Sequence, residues 1–396
     1  MLDLTTLFLV MVCALAVSVS ADAEDRSTIH CKDEIDERLP PVVLGMSTAL
    51  SGPNQYLGLA MSHGVRTRLE EVNAQGGICG RQLVLRVKDD SYDPDRALAN
   101  TRELITEDKV IALVGNVGTP TAEKSWPLAS KSNVVFYGAY TGAGVLRETP
   151  PQRYVFNYRA SYDQEMLVIV DAIIRQGIPL RKIEFFLQGD GFGKAGLASA
   201  KRALKQKGFK YADELQTTYY PRNSLSIQSA LESLIKREPK PEAIIIVGAY
   251  RPSAEYIRFA HGLLPRALFY NLSFPGASEL SALLPDIDGR VYITQVVPPC
   301  GNVDGLCEKF VNEVALEGYL STGVLVQALE DIEGAINSES LRESLERVEV
   351  TLIQGHGSSN ENIDHQIVDK VWLAELFAQG KWVAVRELQN DERPTP

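Results

Sequence analysis

The sequence predicts an α/β protein in which two lobes each contain a parallel β-sheet covered by helices. Continuous apolar segments alternate with amphipathic segments along most of the 396 residues, a pattern typical of buried parallel strands connected by helices. The alternation is longer than one sheet ordinarily holds, and the chain length allows about two to three domains. Hydrophobic residues make up 45% and charged residues 23% of the sequence, which argues against extensive disorder.

The first lobe is predicted from a regular order of strands and helices. It comprises a strand at 41–48, a helix at 56–74, a strand at 82–87, a helix from Asp93-Pro94, a strand at 110–115, a helix from Pro120 and a strand at 134–139. Asp93 can cap its helix, and a proline suits the first helical position.

The second lobe continues the same alternation. Its predicted strands are 182–188, 243–248, 267–273 and 291–297, and a hairpin is expected within 371–388. Crossovers near 154–158, 294–299 and 351–356 are expected to form a hinge beside a cleft at the carboxyl ends of the strands. The expected boundaries are 40–156 and 296–350 for the first lobe, 157–295 and 351–388 for the second, and 389–396 for a tail.

The N-terminal 23 residues are predicted to be a signal peptide. Residues 7–19 form an apolar run that is short for a membrane-spanning helix, and Ala21-Asp22-Ala23 has the form that signal peptidase accepts. The segment before this run contains no Lys or Arg, which departs from the usual basic start of a signal peptide. Cleavage after Ala21 or Ala23 would export the chain, and we predict a periplasmic location.

Four cysteines remain after this cleavage, and an even number in an exported protein indicates disulfide bonds. They are Cys31, Cys79, Cys300 and Cys307. Three pairings are open, of which the simplest joins Cys300 to Cys307 across a short loop and leaves Cys31 with Cys79. A zinc site is disfavoured because no histidine lies near either end of that loop.

Charge and motifs exclude several functions. The net charge of −11 disfavours binding to nucleic acid or to an anionic membrane surface. The sequence carries no nucleophile elbow, no zinc-peptidase motif and no phosphate-binding lysine motif. We therefore predict that the protein is not an enzyme and has no catalytic residues, no cofactor and no metal site.

Residues 191–196 (GFGKAG) match the dinucleotide-binding pattern, and Asp213 follows about 20 residues later, as that pattern expects. The alternative is a glycine-rich turn that lets the backbone pass close to a ligand or to the other lobe. We favour this alternative, because the turn is longer than the motif requires and an exported protein rarely meets a nicotinamide cofactor.

Two loops at successive strand ends predict a ligand site. Residues 115–121 (GNVGTPT) lead into a helix, where free N–H groups and the hydroxyls of Thr119 and Thr121 suit an anion. Residues 138–144 (GAYTGAG) follow the next strand and offer Tyr140 and Thr141. Either loop alone would be an ordinary turn, but their positions at one edge favour a shared site.

The chain also resembles a known family. The segments LSGPN, GTPT, GAYTGAGVLR, FNYRASYDQE, QGDGFGKAG, IVGAYRPSAEYIR, LSFPGASEL and TQVVP occur in the order seen in type I periplasmic solute-binding proteins. The resemblance, which covers residues 40–388, is to the leucine/isoleucine/valine- and amide-binding group of ABC-transporter receptors. It implies a Venus-flytrap fold of two Rossmann-like lobes joined by a three-strand hinge.

This resemblance implies a monomer that binds a small polar ligand between its lobes and delivers it to a membrane ABC permease. The alternative is the ligand-sensing subunit of a signalling system, which would act through a membrane sensor protein. The implied ligand-binding residues of both lobes are Thr119, Thr121, Tyr140, Thr141, Gly142, Tyr162, Tyr250, Ser273 and Phe274. For Tyr162 and Tyr250 the alternative role is packing on the lobe surface.

One departure from the resemblance concerns the ligand's charge. Amino-acid receptors of this family carry an acidic residue for the ligand ammonium about where LSFPG stands here, and this chain has Ser273 and Phe274. Asp163, Asp190 or Glu255 would have to replace it, since a buried ammonium without a carboxylate is costly. An acid, an amide or a flat heterocycle therefore stays open beside an amino acid.

Overall fold

The computed structural model describes residues 39–298, 306–310, 312–348, 364–377 and 381–385. The predicted signal peptide, the tail and the predicted crossover at 351–356 lie outside the described residues, as do Cys31, Cys300 and the side chain of Cys307. Cys79 is disulfide-bonded. Its pairing with Cys31 stays a prediction, as does the pairing of Cys300 with Cys307.

The first lobe is built on a sheet of five strands. They are β1 (Val42–Thr48), β2 (Leu83–Asp89), β3 (Ala112–Val114), β4 (Val135–Tyr137) and β5 (Val155–Phe156). All neighbours pair in parallel, in the order β2-β1-β3-β4-β5. The helices after the first three strands are α1 (Gln55–Ala74), α2 (Pro94–Thr106) and α3 (Thr119–Lys131).

The second lobe is built on a sheet of seven strands. They are β6 (Ile183–Gln188), β7 (Thr217–Tyr220), β8 (Ala243–Val247), β9 (Leu268–Asn271), β10 (Val291–Gln295), β11 (Trp372–Phe377) and β12 (Lys381–Val385). The order is β12-β11-β10-β9-β8-β6-β7, in which β11 is antiparallel to both of its neighbours, β10 and β12, and the other pairs are parallel. The helices are α4 (Tyr162–Arg175), α5 (Gly191–Gln206), α6 (Gln228–Lys236), α7 (Tyr250–Leu263) and α8 (Ala277–Ala282).

After β10 the chain returns to the first lobe, and it enters the second sheet again at β11. The helices α9 (Leu306–Lys309), α10 (Glu313–Glu330) and α11 (Ser338–Leu345) follow β10, and α10 packs along α1. This packing needs a glycine, because a Cβ added at Gly64 would lie 1.9 Å from the carbonyl oxygen of Ala315. Among the described helices, none has both the length and the apolar character that crossing a membrane requires.

Two of the crossings between the lobes run side by side. The backbone N–H of Asn157 donates to the carbonyl of His365 at 2.7 Å, and the N–H of Ile367 donates back to Asn157 at 2.9 Å. The N–H of Val368 donates to the carbonyl of Tyr158 at 2.8 Å. The first predicted crossover therefore pairs with the segment that enters β11, and the exact lobe boundaries stay predictions.

Candidate ligand-binding site

Loops that follow the strands of one sheet contact loops that follow the strands of the other. After β1 and β8, the Tyr250 hydroxyl donates to the carbonyl of Pro53 at 2.6 Å. After β4 and β9, the Tyr140 hydroxyl donates to the carbonyl of Ser273 at 3.3 Å. The two lobes therefore meet directly at the carboxyl ends of their strands, and the structure is a closed one.

Three buried hydroxyl groups, here termed the hydroxyl cluster, lie where two helices begin. The Oγ1 atoms of Thr119 and Thr141 are 2.7 Å apart, and Thr141 donates to the Tyr162 hydroxyl at 3.2 Å. Thr119 is the first residue of α3 and Tyr162 the first residue of α4, so two partially positive helix N-termini converge on the cluster. Such an arrangement suits an anionic or carbonyl oxygen.

Local sequence explains why these helices begin here. The side chain of Ser161 accepts from the N–H of Gln164, whose side chain accepts from the N–H of Ser161, and this capping box starts α4 at Tyr162. Before α3, Gly118 has a φ of 99°. A Cβ there would lie 2.2 Å from the ring of Tyr92, so both the backbone conformation and the space require glycine.

Next to the hydroxyl cluster lies a group of rings, here termed the aromatic cluster. Its members are Tyr92, Tyr140, Tyr162, Phe192 and Phe274, each at most 1% exposed. The ring of Phe274 lies 4.5 Å from that of Phe192 and 5.6 Å from that of Tyr140, measured between centroids. Burial raises the pKa of Tyr92 and Tyr140 well above the ordinary value, so these hydroxyls are neutral hydrogen-bonding groups.

Arg159, Glu165 and Glu317 form a third group, here termed the charged cluster. Nε of Arg159 lies 3.2 Å from Oε1 of Glu317, and both side chains are buried. Nη2 of Arg159 donates to Oγ of Ser273 at 2.7 Å, and Oε2 of Glu165 accepts from the N–H of Ser273 at 2.8 Å. Burial raises the pKa of Glu317 to about 7, and the nearby positive charge of Arg159 opposes that shift.

Seven of the nine predicted residues lie together in these clusters or in direct contact with them. They are Thr119, Tyr140, Thr141, Gly142, Tyr162, Ser273 and Phe274. Gly142 contributes its carbonyl oxygen, which accepts from the N–H of Tyr162 at 2.7 Å.

The other two predicted residues are placed differently. The Thr121 hydroxyl donates to the carbonyl of Gly118 at 2.9 Å and so serves the first turn of its own helix. Tyr250 lies at the lobe contact beside Tyr56, with 5.9 Å between the ring centroids, and its hydroxyl donates to the carbonyl of Pro53. The structure does not bring either hydroxyl to the hydroxyl cluster.

Five residues of these clusters were missed from the sequence, namely Tyr92, Arg159, Glu165, Phe192 and Glu317. Arg159 and Glu165 stand within FNYRASYDQE, and Phe192 stands within QGDGFGKAG, so both motifs contain residues of the clusters that were not predicted. Glu317 is a single carboxylate on a long buried stretch of α10, which is an available signal, because buried charges are rare unless they are paired.

The three acidic residues considered for a ligand ammonium are not equivalent. Asp163 is half exposed and binds Arg202 at 2.6 Å, and Glu255 binds Arg258 on the surface of α7 at 3.2 Å. Asp190 is directed inward, where it accepts from Nε2 of Gln188 at 2.8 Å. Asp163 is also close to the first lobe, because it lines a cavity together with Gly142 and Gly144.

The glycine-rich turn at the start of α5 brings the two lobes close together. A Cβ added at Gly191 would lie 2.3 Å from a carboxylate oxygen of Glu123, which belongs to α3 of the first lobe. Asp213, the expected ribose partner, instead binds Lys201 and Lys205 at 3.3 and 2.6 Å. These contacts agree with the favoured interpretation, a turn that passes close to the other lobe.

Comparisons with known proteins agree with this architecture. Residues 41–294 match a family model described as periplasmic binding protein. A solved structure of a "possible leucine/isoleucine/valine-binding protein" from Rhodopirellula baltica is 33% identical with a TM-score of 0.82, over 89% of this chain and 98% of that chain.

Two curated relatives are similar over different lengths. An amino acid binding protein of Pseudomonas aeruginosa is 30% identical over 179 residues, which is 43% of this chain and only 44% of that protein. The Leu/Ile/Val-binding protein homolog 7 of Brucella abortus is 21% identical over 338 residues, which is 78% of this chain and 82% of that protein.

Proposed function

The chain belongs to the family of periplasmic binding proteins, and we propose that it is an extracytoplasmic receptor for a small polar solute. The ligand is a branched-chain amino acid, an amide or a related small acid or heterocycle, and it binds between the two lobes. The receptor then delivers the ligand to an ABC permease in the membrane. The predicted signal peptide and the ligands named for its relatives support this proposal.

The observation that carries the proposal is the hydroxyl cluster, because both lobes contribute to it. Thr119 and Thr141 belong to the first lobe, and Tyr162 begins the first helix of the second. In the closed structure these groups bond to one another. A ligand carboxylate or carbonyl oxygen that enters between them would accept from the same hydroxyls and be stabilised by the two helix N-termini.

The aromatic cluster supplies the apolar wall that a small ligand needs. Its rings come from both lobes, since Tyr92 follows β2 and Phe274 follows β9. Aromatic rings with a few polar anchors are typical of small-ligand sites. A ligand with an apolar body would therefore hold the lobes together and stabilise the closed form.

The proposal is tested by thermal unfolding of the mature protein with leucine, isoleucine, valine, aliphatic amides and aromatic acids. A ligand at about 100 times its Kd adds about 2.7 kcal/mol to the free energy of unfolding. We expect a shift with one chemical class. No shift with any compound of the panel would contradict the proposed ligand range.

The site is tested with the variants Thr119→Ala and Thr141→Ala and titration calorimetry of the compound that binds. Each should weaken binding by about 1–3 kcal/mol, the usual cost of losing a buried hydrogen-bonding group. Thr106→Ala is the matched control, because Thr106 is exposed on α2 and its hydroxyl donates to the carbonyl of Arg102. Unchanged affinity in the Thr119/Thr141 double variant would overturn the site.

A further inference from the structure

Glu165 has a carboxylate oxygen without a partner in the interior of the protein. The residue is 0% exposed. Its Oε2 accepts from the N–H of Ser273 at 2.8 Å and from the hydroxyl of Thr294. Its Oε1 has no hydrogen-bond partner in the described part of the chain. A buried carboxylate oxygen without a donor is costly, so this position is suited to a donor that is absent here.

The surroundings of Glu165 belong to the contact between the lobes. Both of its partners, Ser273 and Thr294, line a small cavity of about 10 Å³, to which Tyr140 of the first lobe also contributes. Arg159 lines the same cavity, and its Nη1 has no hydrogen-bond partner among the described residues. An oxygen without a donor and an N–H without an acceptor therefore belong to two side chains that both bind Ser273.

Arg159 does not satisfy Glu165 itself. Within the described residues, this guanidinium forms an ion pair with Glu317 and donates a hydrogen bond to Ser273. The two hydrogen bonds that Glu165 accepts come from neutral donors, while the charge of Arg159 acts on it only through space. A cationic donor would form the strongest hydrogen bond to Oε1, because charge-assisted hydrogen bonds are about twice as strong as neutral ones.

Glu165 also has a fixed spatial relation to the hydroxyl cluster. It follows Tyr162 by three residues on α4, and both side chains belong to the buried face of that helix. Residues at this spacing are neighbours, separated by roughly 5–6 Å between their Cβ atoms. Burial raises the pKa of the Tyr162 hydroxyl, and Glu165 is near enough to be among the weaker causes of that shift. A head group that carries an anionic and a cationic end on one carbon atom can therefore reach both side chains.

We infer that Glu165 is the residue that selects a ligand ammonium group, so that the site takes a zwitterionic α-amino acid. This inference rests on the proposed function and assigns the ligand carboxylate to the hydroxyl cluster and the ligand ammonium to Oε1 of Glu165. The carboxylate that binds the ammonium comes from the first turn of α4. The loop after β9 has Ser273 and Phe274 and supplies only the Ser273 N–H, which orients the Glu165 carboxylate.

The test compares amino acids with analogues that lack only the ammonium, using titration calorimetry at one pH. The pairs are L-leucine with isocaproate and L-phenylalanine with hydrocinnamate. We expect the wild-type protein to bind one of these amino acids about a hundredfold more tightly than its analogue. Glu165→Gln should weaken binding of the amino acid by about a hundredfold and leave the analogue within about threefold, because the amide still accepts from Ser273.

Glu255→Gln is the matched control, because it removes the same charge from the surface of α7, and it should change neither affinity. The wild-type comparison does not depend on the folding of any variant. An analogue that binds as tightly as its amino acid, or an amino acid that binds Glu165→Gln normally, would overturn the inference and leave the receptor function intact. If neither member of either pair binds, the amino-acid ligand and this inference are both wrong.

Discussion

The guanidinium carbon of Arg159 lies 4.2 Å from the centre of the Tyr140 ring, in a cation–π contact at the centre of the lobe interface. The same guanidinium pairs with Glu317 of α10 and donates to Ser273 after β9. Arg159 itself stands just after the first crossing between the lobes. One buried side chain on the hinge therefore contacts both lobes and couples their positions.

Removing this positive charge should destabilise the closed protein strongly. Arg159→Met leaves the buried carboxylate of Glu317 without its counter-charge, and we expect a loss of about 3–5 kcal/mol in the free energy of unfolding. The double variant Arg159→Met/Glu317→Leu removes both charges and should recover much of that loss. Urea unfolding of the single and double variants measures both effects.

The control is an exposed pair of the same residue types. Nη2 of Arg153 lies 2.6 Å from Oε1 of Glu339, and the Arg153 side chain is 63% exposed. Arg153→Met should change the free energy of unfolding little, because solvent screens an exposed ion pair. A similar loss for Arg153→Met and Arg159→Met would contradict the role of burial in the Arg159 pair.

The fold follows from local signals to a large extent. The Asp93-Pro94 start signal predicts α2, which begins at Pro94 with the Asp93 side chain accepting from two backbone N–H groups. Two strands were missed: β5, because residues 154–158 were predicted only as a crossover, and β7. β7 is an edge strand in which exposed Tyr219 alternates with buried neighbours, so it has no continuous apolar run. A segment of four residues with this pattern is also compatible with a loop.

From the residues alone, the site was predicted only where a loop carries its own signal, whereas Tyr162, Ser273 and Phe274 were predicted from the family resemblance. Thr119 and Thr141 follow buried strands and were found from the sequence. The pair of Arg159 and Glu317 joins residues 158 positions apart, and no local pattern indicates which helix will cover the hinge. The unpartnered oxygen of Glu165 likewise depends on the tertiary packing of α4 against β9 and β10.

Glu184 on β6 should make the stability of the protein depend on pH. Burial raises the pKa of this carboxyl from 4.5 to about 7, and Arg237 opposes the shift. Glu184 therefore releases its proton at a lower pH in the unfolded chain than in the folded chain. The stability contributed by neutral Glu184 is complete below about pH 4.5 and is lost as the pH rises through about 7.

Glu184→Gln removes this titration. At about pH 8 we expect the variant to be more stable than the wild type by about 2–3 kcal/mol, and near pH 4.5 the two should be equal. Urea unfolding across this range measures the difference, with Glu232→Gln as the control because Glu232 is exposed on α6. A difference that does not change with pH would show that the Glu184 proton is not linked to folding.

Gly142 should control how closely the lobes approach. A Cβ at this position would lie 2.5 Å from Cδ1 and 2.7 Å from the backbone nitrogen of Tyr162. Gly142→Ala must therefore displace the start of α4 from the first lobe. We expect at least about tenfold weaker ligand binding and a larger radius of gyration in X-ray scattering, because the closed form is disfavoured.

A control for this substitution lies in the same loop. A Cβ at Gly144 would meet no atom within 4 Å, so Gly144→Ala makes the same chemical change without the clash. It should leave both the affinity and the radius of gyration unchanged. If the two variants behave alike, the contact between Gly142 and Tyr162 does not limit closure.

Tyr250 should slow the release of ligand, because its hydroxyl joins the lobes at a distance from the hydroxyl cluster. It donates to the carbonyl of Pro53 at 2.6 Å, and this bond exists only while the lobes are in contact. Tyr250→Phe keeps the ring against Tyr56 and removes about 1 kcal/mol from the closed form. Stopped-flow measurement should show ligand release about fivefold faster. The control is Tyr211→Phe, at an exposed position of the second lobe, which should not change that rate. An unchanged rate in Tyr250→Phe would show that this bond does not hold the lobes closed.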